Sequence, residues 1–112
     1  MVNIVQVGTR QIALDADGCL LDLSQWDEEV AHALAAQDGI ELSAEHWQVL
    51  YAVREFYQEF DLAPANRALI RYLAQRYGAE IGNSMRLNLL FNGKPARLAG
   101  KIAGLPKPAN CF

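Results

Sequence analysis

The sequence is poor in the residues and segments that disulfide, metal and membrane proteins depend on. It contains two cysteines, Cys19 and Cys111, and no Cys-x-x-Cys pair, which argues against a disulfide framework or a thiolate metal site. No apolar run approaches the ~18 residues that a membrane span requires. The N-terminus lacks the basic-then-apolar layout of a secretory signal. We therefore expect a cytoplasmic protein that does not bind a membrane.

Local catalytic and cofactor motifs are also missing. The two histidines, His32 and His46, do not belong to a metal-binding spacing, which favours a structural or surface role for each. Gly100 and Gly104 bracket a short stretch without the preceding strand or the lysine-hydroxyl pair of a phosphate-binding loop. We expect no cofactor and no metal.

Acidic side chains are almost absent from the second half of the chain. Residues 1–61 hold 12 acidic and 2 basic side chains, whereas residues 62–112 hold 8 basic side chains and one acidic, Glu80. A positive field lowers the pKa of a nearby thiol and favours docking on an acidic protein or near an RNA backbone. A solvated charge gradient without a function is the alternative.

The hydrophobic pattern predicts an α+β fold in which a small N-terminal antiparallel β-meander packs on an array of about five α-helices. Short β-type runs at 4–7, 11–14 and 19–21 form the meander. Helical periodicity and end signals predict helices at about 25–37, 43–60, 64–78, 84–91 and 95–103, with Ser24 as the first N-cap. We expect one globular α+β domain over residues 1–103 and a mobile, extended, proline-containing arm over 104–112.

The C-terminal segment carries the strongest chemical candidate. Pro106 and Pro108 disfavour helix and central strand, so the segment should run extended. At about 3.1 Å per residue, the distance from Gly104 to Cys111 is roughly 20 Å, enough to place a sulfur in another protein's cleft. Lys101 and Lys107 can supply positive charge that favours the thiolate, the form that attacks sulfur. Cys111 is therefore the strongest candidate for a reactive residue, and a frayed tail that carries an incidental thiol is the alternative.

Three other features have structural explanations that compete with functional ones. Cys19 lies in an apolar run, where a cysteine is most often a small buried hydrophobe, and a second redox site or a partner for Cys111 is the alternative. Arg67 and Arg71 lie one turn apart after a tight helix connection, which is compatible with a DNA-reading helix, although most such helix pairs do not bind DNA. Four aromatic residues could either form a stacking platform for bases or pack in the core: Trp26, Trp47, Tyr51 and Tyr57. Their helical spacing favours packing in the core.

The ending, Lys101-Ile-Ala-Gly-Leu-Pro-Lys-Pro-Ala-Asn-Cys-Phe112, resembles the C-terminal signature of the TusE/DsrC sulfur-carrier family. Further matches cover essentially the whole chain: Asp17-Gly-Cys-Leu20, Trp26, Gly39 to Trp47, Arg54-Glu-Phe-Tyr57 and Pro64-Ala-Asn-Arg67. The tail motif with its penultimate cysteine is specific, while the internal matches are weak separately.

Two departures from the family pattern refine the resemblance. DsrC-type members carry a second tail cysteine upstream of the Lys-Ile-Ala-Gly stretch, where this sequence has Gly100. An intramolecular tail disulfide cannot form without it, which points to the single-cysteine TusE-like branch. The stretch from Phe91 to Pro95 also differs from the usual Phe-Pro-x-Gly-Pro, which affects the details of one turn.

The resemblance implies a sulfurtransferase-type carrier more than a stand-alone catalyst. It would accept persulfide sulfur on Cys111 from a TusBCD-like donor complex and pass it to an MnmA-like tRNA 2-thiouridylase, with or without bound tRNA, for wobble uridine 2-thiolation. The alternatives are a carrier in sulfur oxidation or sulfite reductase-linked metabolism, and a regulatory DNA- or protein-binding subunit. Besides Cys111, residues of the arm and of the basic half are expected to serve partner docking: Arg67, Arg71, Lys101, Gly104, Leu105, Pro106, Lys107 and Pro108.

Overall fold

The computed structural model describes residues 3–106 and opens with a β-hairpin. Strand β1 (Asn3–Val7) pairs antiparallel with β2 (Arg10–Leu14). The side chains alternate, so that one face buries four apolar residues, Val5, Val7, Ile12 and Leu14, as expected for a sheet that is covered on one side only. The buried face packs on the first helix of the array.

The third run of the expected meander does not form a strand. Leu20 makes one isolated bridge to Leu14, and Leu21 N–H donates to the carbonyl of Ala13. The carboxylate of Asp15 accepts from the backbone N–H of Asp17 and Cys19, which closes a tight turn. Asp22 then caps a short 3-10 helix, Leu23–Gln25, so the chain leaves the sheet after one bridge.

Five α-helices follow within the described residues, which confirms the predicted α+β architecture. They are α1 (Glu28–Gln37), α2 (Ala44–Phe60), α3 (Asn66–Tyr77), α4 (Ser84–Leu90) and α5 (Pro95–Ile102). Three ends agree closely with their sequence signals: Ser43 caps α2, Gly78 ends α3, and Pro95 occupies the first turn of α5. A fourth signal, Ser24, does not start α1.

The start of α1 is set by Asp27. Its carboxylate accepts a hydrogen bond from the N–H of Val30 at 3.0 Å, and a salt bridge of 2.9 Å to Arg10 holds it in place. Ser24 is part of the preceding 3-10 helix, where its N–H and its hydroxyl both donate to the carboxylate of Asp22. Trp26 therefore lies between two helices and outside both.

Helix α5 lies at the centre of the array, because α1, α2, α3 and α4 all pack against it. Its buried side chains include Leu98, Ala99 and Ile102. Helix α2 packs on both α3 and α5, as its broad apolar surface predicts. The helix that leads into the C-terminal segment is thus held by four other helices, with Arg97 on its exposed side.

Within residues 3–106, no helix combines the length and the apolar character that crossing a bilayer needs.

Candidate functional site

The C-terminal end of α5 is the point from which the predicted reactive segment departs. Gly104 adopts a left-handed conformation with φ +79°. Its N–H donates to the carbonyl of Lys101 at 3.0 Å, and the N–H of Leu105 donates to the carbonyl of Gly100 at 2.9 Å. These two bonds form a Schellman motif, the helix end that glycine favours.

Two side chains from distant parts of the chain complete this helix end. The indole Nε1 of Trp26 donates to the carbonyl of Ile102 at 2.8 Å, and Nη1 of Arg54 donates to the carbonyl of Ala103 at 2.6 Å. The Arg54 guanidinium also lies 4.0 Å from the centroid of the Trp26 ring. Desolvation by burial lowers the pKa of Arg54, although an arginine keeps its charge in proteins. A cation at this position also complements the negative end of the helix dipole.

Gly104 fits against Trp26 so closely that no side chain could be accommodated. A Cβ at position 104 would lie 2.5 Å from Cδ1 of Trp26. Leu105 is buried and Pro106 is half-buried. Three predicted residues, Lys107, Pro108 and Cys111, lie outside the described residues. The structure therefore places the root of the predicted arm, Gly104 to Pro106, against the helical body.

Lys101 faces the body of the protein. Its Nζ forms a salt bridge of 2.8 Å with Asp38, and only 13% of its side chain is exposed. Its aliphatic end also contacts the turn at Gly18, where a Cβ would lie 2.9 Å from Cε. The positive charge that we expected Lys101 to supply to the thiol is thus compensated by a carboxylate.

Other predicted docking residues lie on the exposed surface of the basic half. Arg67 and Arg71 are exposed on α3 and form no ion pair with the rest of residues 3–106. Close to the start of α3 is a cavity of about 150 Å³ lined by Asn66, Gly93, Lys94 and Arg97. The Asn66 side chain accepts from the N–H of Ala96 at 2.9 Å, which joins α3 to α5 beside this cavity.

Cys19, the second thiol, is buried in the turn after β2. Burial raises its pKa, and the nearby carboxylates of Asp15 and Asp17 raise it further. Both effects disfavour the thiolate, so this sulfur is unsuited to nucleophilic attack at neutral pH. The prediction of a small buried hydrophobe at position 19 is confirmed by its burial.

The fold brings three of the four residues considered for a stacking platform together with His32 in a row of four rings, which we call the aromatic row: Trp26, Tyr51, Trp47 and His32. The ring centroids are 6.1 Å apart from Trp26 to Tyr51, 5.9 Å from Tyr51 to Trp47, and 5.2 Å from Trp47 to His32. Trp26 and Trp47 are half-buried, Tyr51 is 40% exposed and His32 is exposed. The prediction that these aromatic residues pack in the core is wrong for Tyr51.

The sequence contained only part of the signal for this row. Trp47 and Tyr51 are four residues apart on α2, which puts them on one helix face. Trp26 precedes α1 and His32 lies on α1, so only the packing of α1 beside α2 brings all four together. The Tyr51 hydroxyl donates to Glu28 at 2.5 Å, and this bond is the main reason that the pKa of Tyr51 is raised.

Comparisons with known proteins agree with the architecture along the whole chain. A family model described as "DsrC like protein" matches residues 6–112. Similar proteins include the Sulfurtransferase TusE of Salmonella choleraesuis, which is 52% identical over 103 residues that cover 92% of this chain and 94% of the relative. The Sulfurtransferase TusE homolog of Haemophilus influenzae is 48% identical over 112 residues and all of both chains.

Two solved structures share the fold. The NMR structure of Allochromatium vinosum DsrC has a TM-score of 0.90 and 41% identity and covers all of both chains. The crystal structure of the oxidized gamma-subunit of the dissimilatory sulfite reductase (DsrC) from Archaeoglobus fulgidus has a TM-score of 0.84 and 36% identity. That match covers 98% of this chain and 100% of the other.

Proposed function

The chain belongs to the DsrC-like protein family, and from this we propose that it is a sulfur-relay carrier that accepts persulfide sulfur on Cys111 and passes it to an acceptor, in tRNA wobble uridine 2-thiolation. Relatives that are about half identical over nearly the full chain are named Sulfurtransferase TusE. Their names support sulfur relay as the activity. The tRNA acceptor follows from the resemblance to the single-cysteine TusE-like branch.

The root of the arm is the structural observation that carries the proposal. The Schellman motif at Gly104, together with the bonds from Trp26 and Arg54, fixes the direction in which the chain leaves α5. Cys111 follows seven residues after Gly104 in the sequence. A defined starting point followed by a short segment with two prolines suits a thiol that must enter the cleft of another protein, because fewer conformations are lost on docking.

The proposed transfer is an exchange between sulfur atoms and needs no oxidant. The Cys111 thiolate attacks the outer sulfur of a donor persulfide, R–S–SH. A bond forms between Sγ of Cys111 and the outer sulfur, the donor S–S bond breaks, and the donor leaves as its thiolate R–S⁻. The product is Cys111–S–SH. An acceptor thiolate then attacks the outer sulfur and releases the Cys111 thiolate.

A carrier of this kind works with other relay proteins. We propose a TusBCD-like complex as the donor and an MnmA-like tRNA 2-thiouridylase as the acceptor, all in the cytoplasm. The exposed cations Arg67 and Arg71, with Lys94 and Arg97 at the neighbouring cavity, are the groups that we propose for docking on an acidic protein surface or beside the tRNA. We propose the same docking role for Lys107 because it is also a cation of this half, whereas Lys101 forms a salt bridge with Asp38.

Mass spectrometry tests the proposal directly. Wild type, Cys111→Ser and Cys19→Ser are each incubated with a persulfide-loaded donor and weighed intact. We expect one added sulfur on wild type and on Cys19→Ser and none on Cys111→Ser. The proposal fails if wild type gains no sulfur or if Cys111→Ser gains as much as wild type.

The second candidate is a carrier for dissimilatory sulfur metabolism, which the two similar DsrC structures favour. Gly100 stands against it, since the resemblance places the second tail cysteine of DsrC-type members at this position. Offering the persulfidated protein to a thiouridylase with tRNA and, separately, to a dissimilatory sulfite reductase distinguishes the two. Turnover with the reductase alone would favour this second candidate. If Cys111→Ser kept full thiouridylation activity, a regulatory or docking subunit would be preferred over any carrier.

A further inference from the structure

The aromatic row is exposed beyond what core packing requires. Its members come from the segment before α1, from α1 and from α2, and each ring contacts the next. Neither the cavity at Asn66 and Lys94 nor the one at Glu45 and Arg86 includes a residue of the row, and the rings present their exposed parts as a surface. Tryptophan and tyrosine are enriched where protein partners bind, because each buries a large rigid area at a low entropic cost. A half-exposed row of such rings is typical of an interaction surface.

The row begins at the root of the arm. Trp26, its first ring, donates to the carbonyl of Ile102 and packs against Gly104. Arg54 covers Trp26 and binds the carbonyl of Ala103. A partner that receives the arm therefore meets the row where the arm leaves the body. The two elements together offer one continuous surface.

The charge around the row indicates the chemistry of the partner. All four rings belong to residues 1–61, which hold 12 acidic and 2 basic side chains. Arg54 lies on the Trp26 ring, and Arg10 pairs with Asp27 and lies 4.0 Å from Glu29. Glu28, which accepts from the Tyr51 hydroxyl, adds a third carboxylate at the start of α1, so two arginines do not balance the three carboxylates beside the row. Exposed rings beside this net negative charge attract cationic side chains by cation–π and ionic contacts and repel a phosphate backbone.

We propose that the aromatic row is the docking face for a relay partner protein that presents arginine or lysine side chains, and that it positions this partner to receive the arm. The inference rests on the proposed carrier function and adds where on the body the partner binds. The basic surface of α3 and α5 lies on other elements and is left for a partner of the opposite charge. One carrier would thus offer differently charged faces to the two sides of the relay.

The tryptophan content of the chain allows a direct test. Both tryptophans, Trp26 and Trp47, are in the row, and the chain has no others. Labelling with 5-fluorotryptophan therefore gives a ¹⁹F NMR spectrum with two signals, and both report on this face. The persulfide donor complex and the thiouridylase are titrated in separate experiments, and we expect the partner that presents arginine or lysine side chains to shift or broaden both signals, with an effect that weakens as salt increases. Signals that stay unchanged with both partners, although both demonstrably bind, would overturn the inference.

Substitutions in the row test the energetic contribution. Tyr51→Ala removes the one tyrosine of the row, and we expect the partner Kd to rise about tenfold or more, while Tyr51→Phe keeps the ring and most of the affinity. Leu89→Ala is the control, since Leu89 is 77% exposed on α4 and does not belong to the row. Equal affinities for wild type and Tyr51→Ala would contradict the inference.

Two further measurements separate this inference from the carrier function and from RNA binding. Charging with a small-molecule polysulfide needs only Cys111, so Tyr51→Ala should gain sulfur as wild type does. If wild type itself does not charge, the carrier function has failed; if both charge and both transfer equally to the protein partner, only the docking face has failed. A single-stranded RNA oligonucleotide should leave the ¹⁹F signals unchanged, and a shift would show a base-stacking platform instead.

Discussion

The indole Nε1 of Trp26 donates a 2.8 Å hydrogen bond to the main-chain carbonyl of Ile102, 76 positions away in the sequence. The last turn of a helix leaves carbonyl groups without partners inside the helix. Here Trp26 and Arg54 bind two of them, and the Schellman motif at Gly104 binds two more. The helix end that supports the predicted arm is therefore fully bonded and held from two other parts of the fold.

We expect Trp26→Phe to loosen this helix end. The substitution keeps an aromatic ring but leaves the buried Ile102 carbonyl without its donor, which costs about 1–3 kcal/mol in the free energy of unfolding. Hydrogen exchange at the Leu105 N–H should become faster. Trp47→Phe is the matched control, because its indole makes no hydrogen bond within residues 3–106, and it should cost less. Equal losses for both variants in urea unfolding would contradict the role given to the Trp26 bond.

Two glycines four residues apart should respond oppositely to alanine. At position 104 the left-handed φ and the contact with Trp26 make Gly104→Ala unfavourable by about 2 kcal/mol or more. At position 100 the same Cβ would meet no atom within 4 Å, so Gly100→Ala should stabilise the helix by about 0.5–1 kcal/mol. Thermal and denaturant unfolding of the two variants check this. A destabilised Gly100→Ala would show that the helix end is more crowded than the structure indicates.

Cys19 should make the stability fall with rising pH. Its pKa is raised in the folded state above an ordinary value of 9.0, chiefly by burial. Above that value the unfolded chain releases the thiol proton while the folded protein retains it, so unfolding is increasingly favoured as pH rises. We expect the loss of stability to begin near pH 9, the ordinary value of the thiol, and to grow as pH rises. Cys19→Ala should reduce this slope, whatever its effect at pH 7, and leave the slope at higher pH that the raised pKa values of Tyr51 and Tyr72 contribute.

The two histidines should differ sharply in their contribution to stability. His46 is buried: its Nδ1 accepts from the N–H of Ser43 at 3.0 Å, and its Nε2 lies 2.7 Å from the carbonyl of Leu90. His46→Ala leaves both groups without these partners, and we expect a cost of about 1–3 kcal/mol. His32 is exposed, and His32→Ala should change stability by about 0.5 kcal/mol or less. Similar values in guanidinium unfolding would show that the His46 bonds contribute nothing net.

Local signals in the sequence located most of the secondary structure. Ser43, Gly78 and Pro95 mark helix ends by capping and by backbone geometry, effects that act within a few residues. The α1 boundary was misplaced because Ser24, Asp22 and Asp27 are all competent caps, and the salt bridge of Asp27 with Arg10 helps to hold one of them in place. A strand partner for the third run was expected from its composition, but the Asp15 turn limits it to one bridge.

The sequence by itself determined that the chain carries a single tail thiol, Cys111, which follows two prolines in a basic half. It also determined that this tail resembles the family signature. Only the tertiary structure decided how the root of the tail is held, that Lys101 is compensated by Asp38, and that four rings from separate elements form one row. The physical reason is the distance along the sequence over which each kind of interaction acts. Propensity, capping and proline restraint act between near neighbours, whereas these contacts join residues far apart in sequence and form only when α1, α2 and α5 pack together.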